Sequence, residues 1–209
     1  MKRTRIKICG IKEARHGLIA AEAGADAIGL VFYRDSPRYV TPGTAANIAA
    51  VLPPYVTTVG LFVNANDRKI RQTLEEVHLD LLQFHGSEEP DFCAQFDVPY
   101  VRAVPMGEGV DLLEYAGRFA TARALLLDAH APGEPGGTGR TFDWAAIPRD
   151  LPMPLILSGG LTPENVGRAV REVKPWAVDV SSGVESGRGS KDPQKIVEFI
   201  RSVQREDAG

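Results

Sequence analysis

The stretch RIKICGI, residues 5–11, combines an alternating strand pattern with a thiol and a glycine at its end. Alternation in a strand places the two central isoleucines on one face and Lys7 and Cys9 on the other, with Cys9 last in line. The carboxyl ends of the strands are the ligand-binding end of a parallel α/β fold. The pattern therefore predicts Cys9 at a binding site, although a lone cysteine is also typical of a packed core.

Seven further runs of aliphatic and β-branched residues follow at intervals that leave room for helices. They cover residues 26–32, 55–63, 79–84, 100–104, 124–127, 155–157 and 177–180. Helical segments are predicted between most of them, at residues 13–22, 45–52, 66–77, 87–96, 110–119, 163 onward and 193–203. Alternating strands and helices imply a parallel sheet, and about eight repeats predict a single α/β domain over residues 1–209, a (β/α)8 TIM barrel. An open doubly wound sheet uses the same units, but eight repeats close more naturally as a ring.

The composition fits one globular domain and argues against several classes of protein. The 209 residues are 44% hydrophobic and 24% charged, which is enough apolar material for one sizeable core. A net charge of -3 without a lysine-arginine cluster argues against nucleic acid as a partner, and no apolar run is long enough for a membrane helix. We therefore expect a cytoplasmic protein whose two cysteines, Cys9 and Cys93, stay reduced. No cysteine or histidine spacing indicates a metal site.

Polar residues recur where the predicted strands end, although chance would scatter them along the chain. These residues are Cys9, Gln83, His85, Asp128, Ser158 and Asp179. Asp128 is informative because a carboxylate directly after three leucines gains nothing from packing and is costly if buried without a partner. We interpret it as a functional carboxylate, with a helix cap or a turn residue as the alternative.

Two loops after the seventh and eighth predicted strands carry the pattern of a phosphate site. The first reads SGGLTP over residues 158–163, and the second reads SSGV over residues 181–184. Their glycines let backbone amides approach an anion, and these two loops form the recurrent phosphate site of TIM barrels. Either loop alone could be a tight turn. The candidate phosphate-binding residues are Gly159, Gly160, Ser181, Ser182 and Gly183.

A further glycine-rich stretch, residues 129–141, separates the sixth predicted strand from the seventh. It contains too much glycine for a helix or a central strand. Gly137, Thr138 and Gly139 are therefore predicted to belong to a lid that closes over bound substrate.

Taken together, these motifs resemble those of the phosphoribosylanthranilate isomerase family, and the resemblance covers the whole chain. The family pattern is carried by KICG at 7–10, GLVF at 29–32, SPR at 36–38, LQFHG at 82–86, LD at 127–128, GGTG at 136–139, SGGL at 158–161 and DVSSGVE at 179–185. One small departure is Phe84, where the family commonly has leucine, and we expect it to alter only packing.

The resemblance implies an enzyme of tryptophan biosynthesis that carries out an Amadori rearrangement without a cofactor or a metal. N-(5-phosphoribosyl)anthranilate would open its ribose ring and become 1-(2-carboxyphenylamino)-1-deoxyribulose 5-phosphate. Matching the motifs makes Cys9 the general base, Asp128 the general acid and Arg38 the partner of the anthranilate carboxylate. A solvated loop position is the alternative for Arg38. The protein is expected as a monomer or a homodimer, and further substrate contacts are expected from Gln83, His85 and Asp179.

Two other functions fit parts of the pattern. Another sugar-phosphate barrel, such as an epimerase or an indole-forming synthase, shares the phosphate loops but distributes its acids and bases differently. A catalytic lysine would indicate such an enzyme, and Lys7 is the candidate. The pairing of Cys9 with Asp128 favours the isomerase. A non-catalytic barrel would keep both loops and bind phosphate ligands without turnover.

Strand parity also turns Lys7 inward, about two residues deeper in the barrel than Cys9. A buried ammonium needs a partner, and Asp179 points inward on the eighth strand, which closes the ring beside the first. We predict a buried ion pair between Lys7 and Asp179 that adds positive potential near Cys9 and favours its thiolate.

Overall fold

The computed structural model describes residues 3–107, 109–129 and 142–209. A closed barrel of eight parallel strands in sequence order forms its centre, and the eighth strand pairs with the first. Every predicted strand is present with its ends within two residues of the predicted ones, so the TIM-barrel prediction is confirmed. The strands are β1 (Arg5–Cys9), β2 (Ala27–Val31), β3 (Thr57–Phe62), β4 (Leu81–Phe84), β5 (Tyr100–Pro105), β6 (Ala124–Asp128), β7 (Leu155–Leu157) and β8 (Ala177–Val180).

Helices alternate with the strands along most of the chain. Within the described ranges they are α1 (Ala14–Ala23), α2 (Pro42–Val51), α3 (Asp67–Glu76), α4 (Pro90–Ala94), α5 (Leu112–Arg118), α6 (Val166–Val173) and α7 (Pro193–Ala208). A 3-10 turn, Trp144–Ala146, lies between β6 and β7. A second 3-10 turn, Ser182–Val184, leads from β8 into a short antiparallel hairpin of β9 (Glu185–Gly187) and β10 (Ser190–Lys191). The strand and helix patterns of the sequence do not predict this hairpin.

Local residues explain where two of these helices begin and end. α2 begins at Pro42, three residues before the predicted start, because Thr41 Oγ1 accepts a hydrogen bond from the amide of Thr44 at 3.2 Å. α1 ends before Gly24, whose φ of 108° is left-handed, as the sequence predicts.

Alternation along β1 sorts its side chains as the pattern predicts. Ile6 and Ile8 are 1% and 0% exposed and belong to the large apolar layer that also contains residues of α1 and α7. Burying a side chain of this size is worth about 1.5–3 kcal/mol, so the layer holds both helices against the strand. Lys7 and Cys9 consequently face the interior of the barrel.

Apolar side chains fill part of the barrel interior, so that the barrel is a packed core with a mouth at the carboxyl ends of its strands. Four of these side chains come from β5 and β6, namely Val101, Ala103, Ala124 and Leu126. Phe84 lies in the outer layer, where its ring packs on those of Phe92, Phe96 and Tyr100.

None of the helices in the described ranges is long and apolar enough to cross a membrane. The loops after β7 and β8 are described throughout. The residues predicted to form a lid, Gly137, Thr138 and Gly139, lie outside the described residues.

Candidate active site

A buried ion pair lies between neighbouring strands below the mouth of the barrel. Lys7 on β1 stands in register with Asp179 on β8, and its Nζ donates to Asp179 Oδ1 at 2.9 Å. Their side chains are only 7% and 6% exposed, so the predicted pair is confirmed. Lys7 Nζ also donates to Oε1 of Gln83 on β4 at 2.9 Å. The ammonium therefore has one acceptor on each of two other strands.

The ion pair keeps Lys7 charged. Burial lowers the pKa of the Lys7 ammonium, but the charges of Asp179 and Cys9 and the hydrogen bond to Asp179 raise it, and the net shift of the pKa is upward. A protonated amine is not a nucleophile. Lys7 therefore does not fit the Schiff-base lysine of the alternative sugar-phosphate enzymes.

Cys9 ends β1 and is 4% exposed, in a small apolar cluster with Val31 and Leu61. Its partner in register on β2 is Gly29, and a Cβ at Gly29 would lie 2.7 Å from Cys9 Sγ. A side chain at this position of β2 would collide with the thiol. The glycine therefore provides the space that Cys9 occupies inside the barrel.

Burial raises the pKa of the Cys9 thiol and outweighs the lowering of that pKa by Lys7 and Lys191, while Asp179 adds to the rise. Lys7 acts in the predicted direction. The net pKa of the thiol is nevertheless raised, because the cost of removing the thiolate from water is larger than the stabilisation that the nearby cations provide.

A chain of polar contacts leads from Lys7 across the barrel to the predicted acid. An ammonium can only donate, so Lys7 fixes the oxygen of the Gln83 amide toward itself and the amide nitrogen toward His85. Gln83 Nε2 then donates to His85 Nδ1 at 3.0 Å. The ring proton of His85 is left on Nε2, which lies 3.2 Å from Asp128 Oδ2. Lys7 thus connects Asp179, Gln83 and His85 by hydrogen bonds, and Asp128 contacts the far nitrogen of the His85 ring.

The loops after β7 and β8 pack directly on each other. Gly159 and Gly160 have left-handed φ angles of 81° and 65°, and a Cβ on Gly183 would overlap the carbonyl oxygen of Leu161. Only glycine allows these backbones to approach so closely. The amides of Gly160 and Ser182 donate no hydrogen bond to the part of the chain that the structure describes, so they are available to an anion.

Two details of these loops differ from the sequence prediction. α6 begins at Val166 and not at the predicted residue 163, because Asn165 Oδ1 first closes a turn by accepting the amide of Thr162 at 2.8 Å. Ser181 Oγ donates to the carbonyl oxygen of Cys9 at 3.1 Å. The Ser181 hydroxyl is therefore engaged inside the protein.

Arg38 lies over the end of β1, where Gly10 leaves space for it. Gly10 has a φ of 77°, and a Cβ there would lie 2.6 Å from Arg38 Cδ. The Arg38 side chain is 12% exposed, and its Nε and Nη2 donate to the two carboxylate oxygens of Glu185 at 2.7 and 3.0 Å. The solvated alternative for Arg38 is thereby excluded.

Sequence reasoning missed two residues of this arrangement. Glu185 receives both the Arg38 guanidinium and the ammonium of Lys191, whose Nζ lies 2.9 Å from Glu185 Oε1. The only signal in the sequence is that Glu185 ends the DVSSGVE motif. Lys191 follows six residues later in a short hairpin, and no motif or periodicity in the sequence indicates that it contacts Glu185.

In the described ranges, no group of three His, Cys, Asp or Glu side chains is placed to hold a metal ion. The mouth of the barrel instead carries a thiol, a carboxyl group with an imidazole partner, a guanidinium and unoccupied backbone amides. This set of groups can transfer protons on a substrate that carries negative charge.

The family model and the most similar curated relatives point to the same protein family. A family model described as N-(5'phosphoribosyl)anthranilate (PRA) isomerase matches residues 6–202. The N-(5'-phosphoribosyl)anthranilate isomerase of Thiobacillus denitrificans is 55% identical over 200 residues, which cover 96% of this chain and 98% of the relative. The isomerase of Hahella chejuensis is 52% identical over 205 residues, which cover 98% of this chain and 96% of the relative.

Solved structures agree with these sequence comparisons. The crystal structure of phosphoribosyl anthranilate isomerase from Thermotoga maritima superposes with a TM-score of 0.89 at 42% identity, covering 97% of this chain and 99% of that chain. A second crystal structure of such an isomerase, in complex with reduced 1-(o-carboxyphenylamino)-1-deoxyribulose 5-phosphate, gives a TM-score of 0.86 at 40% identity with the same coverage.

Proposed function

Because the chain belongs to the N-(5'-phosphoribosyl)anthranilate isomerase family, we propose that Cys9 is its general base and Asp128 its general acid. The enzyme acts in tryptophan biosynthesis. The observation that supports the assignment is the position of the two groups at the ends of one chain of contacts. Cys9 interacts with the charge of Lys7, and Asp128 meets His85 at the other end.

The proposed reaction moves hydrogen within the substrate and needs no redox partner. Asp128 donates a proton to the ribose ring oxygen while the bond from that oxygen to C1 breaks, and the anthranilate nitrogen forms a protonated imine with C1. Cys9 removes the C2 proton, and the electrons of that bond form the double bond between C1 and C2 of an enolamine. Ketonisation adds a proton at C1 and removes one from the C2 hydroxyl, so the product has the formula of the substrate. Proton exchange with solvent then returns the proton to Asp128 and removes the one that Cys9 accepted.

The protonated imine also favours ionisation of Cys9, whose pKa is raised by burial. Its positive charge lies beside the thiol after ring opening and acts in the same direction as Lys7 and Lys191. We infer that Cys9 ionises most readily at the step that uses it. The turnover numbers of Cys9→Ala and Asp128→Asn test the acid and base roles, since each should fall at least about 100-fold.

The two charged ends of the substrate are assigned to Arg38 and to the loops after β7 and β8. Arg38 Nη1 makes no hydrogen bond within the described chain, so this nitrogen can meet the anthranilate carboxylate. The amides of Gly160 and Ser182 are equally available to the phosphate, and Gly159 and Gly183 allow the close approach. A ligand-bound crystal structure with phosphate at the loops after β2 and β3 would contradict this placement.

Arg38→Ala should mainly weaken binding of the anthranilate half of the substrate. Loss of a charge-assisted hydrogen bond costs about 1.5–3 kcal/mol, which corresponds to a rise in Kd of roughly 10- to 150-fold for ligands that carry the carboxylate. Inorganic phosphate should bind as before. Titration calorimetry with a reduced product analogue and with phosphate measures both, and equal losses for the two ligands would contradict the assignment.

The remaining properties are proposed on the same basis. The enzyme is proposed to act as a single domain on a small sugar phosphate in the cytoplasm, without cofactor, metal, membrane or nucleic acid. A solved structure from Thermotoga maritima is described as monomers generated from a dimeric isomerase, so the proposal retains both monomer and homodimer. Light scattering on the purified protein distinguishes the two assemblies.

A further inference from the structure

The guanidinium of Arg38 is held by one of its two forked edges. Nε and Nη2 form the side edge, and both donate to the carboxylate of Glu185, at 2.7 and 3.0 Å. The end edge, formed by Nη1 and Nη2, faces a different direction and is not the edge that binds Glu185. Because the guanidinium is planar and rigid, fixing one edge also fixes the direction of the other.

Glu185 is itself held firmly. Its side chain is 5% exposed, and its two oxygens accept hydrogen bonds from Lys191 Nζ and the amide of Gly189, both at 2.9 Å, in addition to those from Arg38. Burial raises the pKa of Glu185, but Arg38, Lys191 and the Gly189 amide outweigh it, and the net pKa is lowered. Glu185 is therefore an ionised carboxylate with four donors around it.

Lys191 links this carboxylate to the end of β1. Its side chain is 1% exposed, and Nζ donates to Glu185 Oε1 at 2.9 Å, to the carbonyl oxygen of Ser181 at 2.7 Å and to Ser181 Oγ at 3.2 Å. The hydroxyl proton of Ser181 is already donated to the carbonyl oxygen of Cys9. Burial lowers the pKa of Lys191 and outweighs the raising effect of Glu185. Three donated hydrogen bonds nevertheless require three protons, so the geometry is that of an ammonium.

The charges of this group do not cancel. Arg38 and Lys191 are cations and Glu185 is an anion, so one positive charge remains in a largely buried place. A second carboxylate, supplied by a ligand at the end edge of Arg38, would balance it.

We propose that Glu185 is a positioning residue that turns the free edge of Arg38 toward the substrate carboxylate and thereby sets the preference for an anthranilate ligand. Lys191 holds Glu185 in the required place. The inference rests on the proposed function, in which Arg38 binds that carboxylate.

Glu185→Gln is the informative substitution because all four partners of Glu185 are donors. An amide has one oxygen, so its nitrogen must face two of the four donors, whichever way the amide is turned. The guanidinium then loses its two-point attachment and rotates away from the position that meets the ligand.

The experiment measures the carboxylate preference of the binding site. The probes are reduced 1-(2-carboxyphenylamino)-1-deoxyribulose 5-phosphate and the matching phenylamino compound without the carboxylate. The preference is the Kd of the compound without the carboxylate divided by the Kd of the compound that carries it. Glu185→Gln should lower this ratio at least about tenfold. It should raise KM for the substrate much more than it lowers kcat, and the Kd for inorganic phosphate should stay within about threefold of the parent value.

Glu88→Gln is the matched control. Glu88 is also a buried carboxylate paired with a buried arginine, since its Oε2 lies 2.9 Å from Nη1 of Arg102 and the two side chains are 3% and 4% exposed. Its loss should reduce stability but leave the carboxylate preference unchanged. A similar loss of preference in both variants would show a general structural effect and overturn the inference.

Arg38 variants separate this inference from the proposed function. If Arg38→Ala keeps the preference, Arg38 does not bind the carboxylate and the proposed function fails at this residue. If Arg38→Ala loses the preference but Glu185→Gln keeps it, only the positioning role of Glu185 is overturned. Arg38→Lys covers the case in which Glu185→Gln does not fold. An ammonium drawn to Glu185 has no second edge, so Arg38→Lys should lose the preference, and its retention would overturn the inference.

Discussion

Lys7→Met should lower the free energy of unfolding by about 3–5 kcal/mol, because it leaves the carboxylate of Asp179 buried without its cation. Among the described residues Asp179 keeps a hydrogen bond from Ser158 Oγ, which lies 3.4 Å from Asp179 Oδ2. For a chain of this length the melting temperature should fall by roughly 6–20 °C. Activity should fall as well, since Gln83 Oε1 loses the donor that fixes the direction of its amide toward His85. Denaturant unfolding and kcat measure the two effects.

Two further variants make this prediction specific. Lys7→Met combined with Asp179→Leu should recover stability but not activity, because the stranded charge is gone while the Gln83 amide is still free to turn. Arg171→Met removes a surface ion pair with Glu206 and should cost no more than about 1 kcal/mol. An unchanged melting temperature in Lys7→Met alone would show that the buried pair contributes nothing to the fold.

Cys9→Ala should lower kcat at least about 100-fold with little change in substrate affinity, because a general base acts in the transition state. The pH profile gives a second readout. Burial raises the pKa of the thiol, so the thiolate fraction and kcat/KM of the parent enzyme should increase as pH rises above neutral and continue to increase beyond the ordinary thiol range. That ascending limb should disappear in Cys9→Ala.

Companion variants identify the origin of the loss. Asp128→Asn should lower kcat comparably but keep the ascending limb, since the thiol is still present. Cys93→Ala should retain the parent kcat, because this second buried thiol lies in the outer layer, where burial raises its pKa to about 12. Near-normal kcat in Cys9→Ala would contradict the general-base role and show that Cys9 is only a packed core residue.

The two-residue period of the strands was the most informative part of the sequence. It places Lys7 and Asp179 on the inner face of neighbouring strands, and the ion pair then follows from the cost of burying either charge alone. Helix starts were predicted less well because they depend on single side chains. Thr41 starts α2 early, and Asn165 delays α6.

The contacts of Arg38 could not be predicted in the same way. Its partner Glu185 is 147 residues away in the sequence and follows a 3-10 turn, where no period indicates the direction of a side chain. Lys191 lies on a strand of two residues, which is too short to show alternation. The effect of Lys7 on the Cys9 pKa was predicted with the right sign, but the net direction could not be, because it is a balance between burial and several charges and a sequence gives the charges without the burial.

The close contact between Gly29 and Cys9 has a consequence for redesigning this barrel toward other sugar phosphates. Positions 9 and 29 share one volume, since even a methyl group at 29 would lie 2.7 Å from the sulfur atom. In a library that varies position 29 and keeps Cys9, nearly every variant would place a side chain in collision with the thiol and would be lost for that reason alone. The two positions should be varied together, with a side chain at 29 introduced only where residue 9 becomes smaller and the proton acceptor moves to another strand.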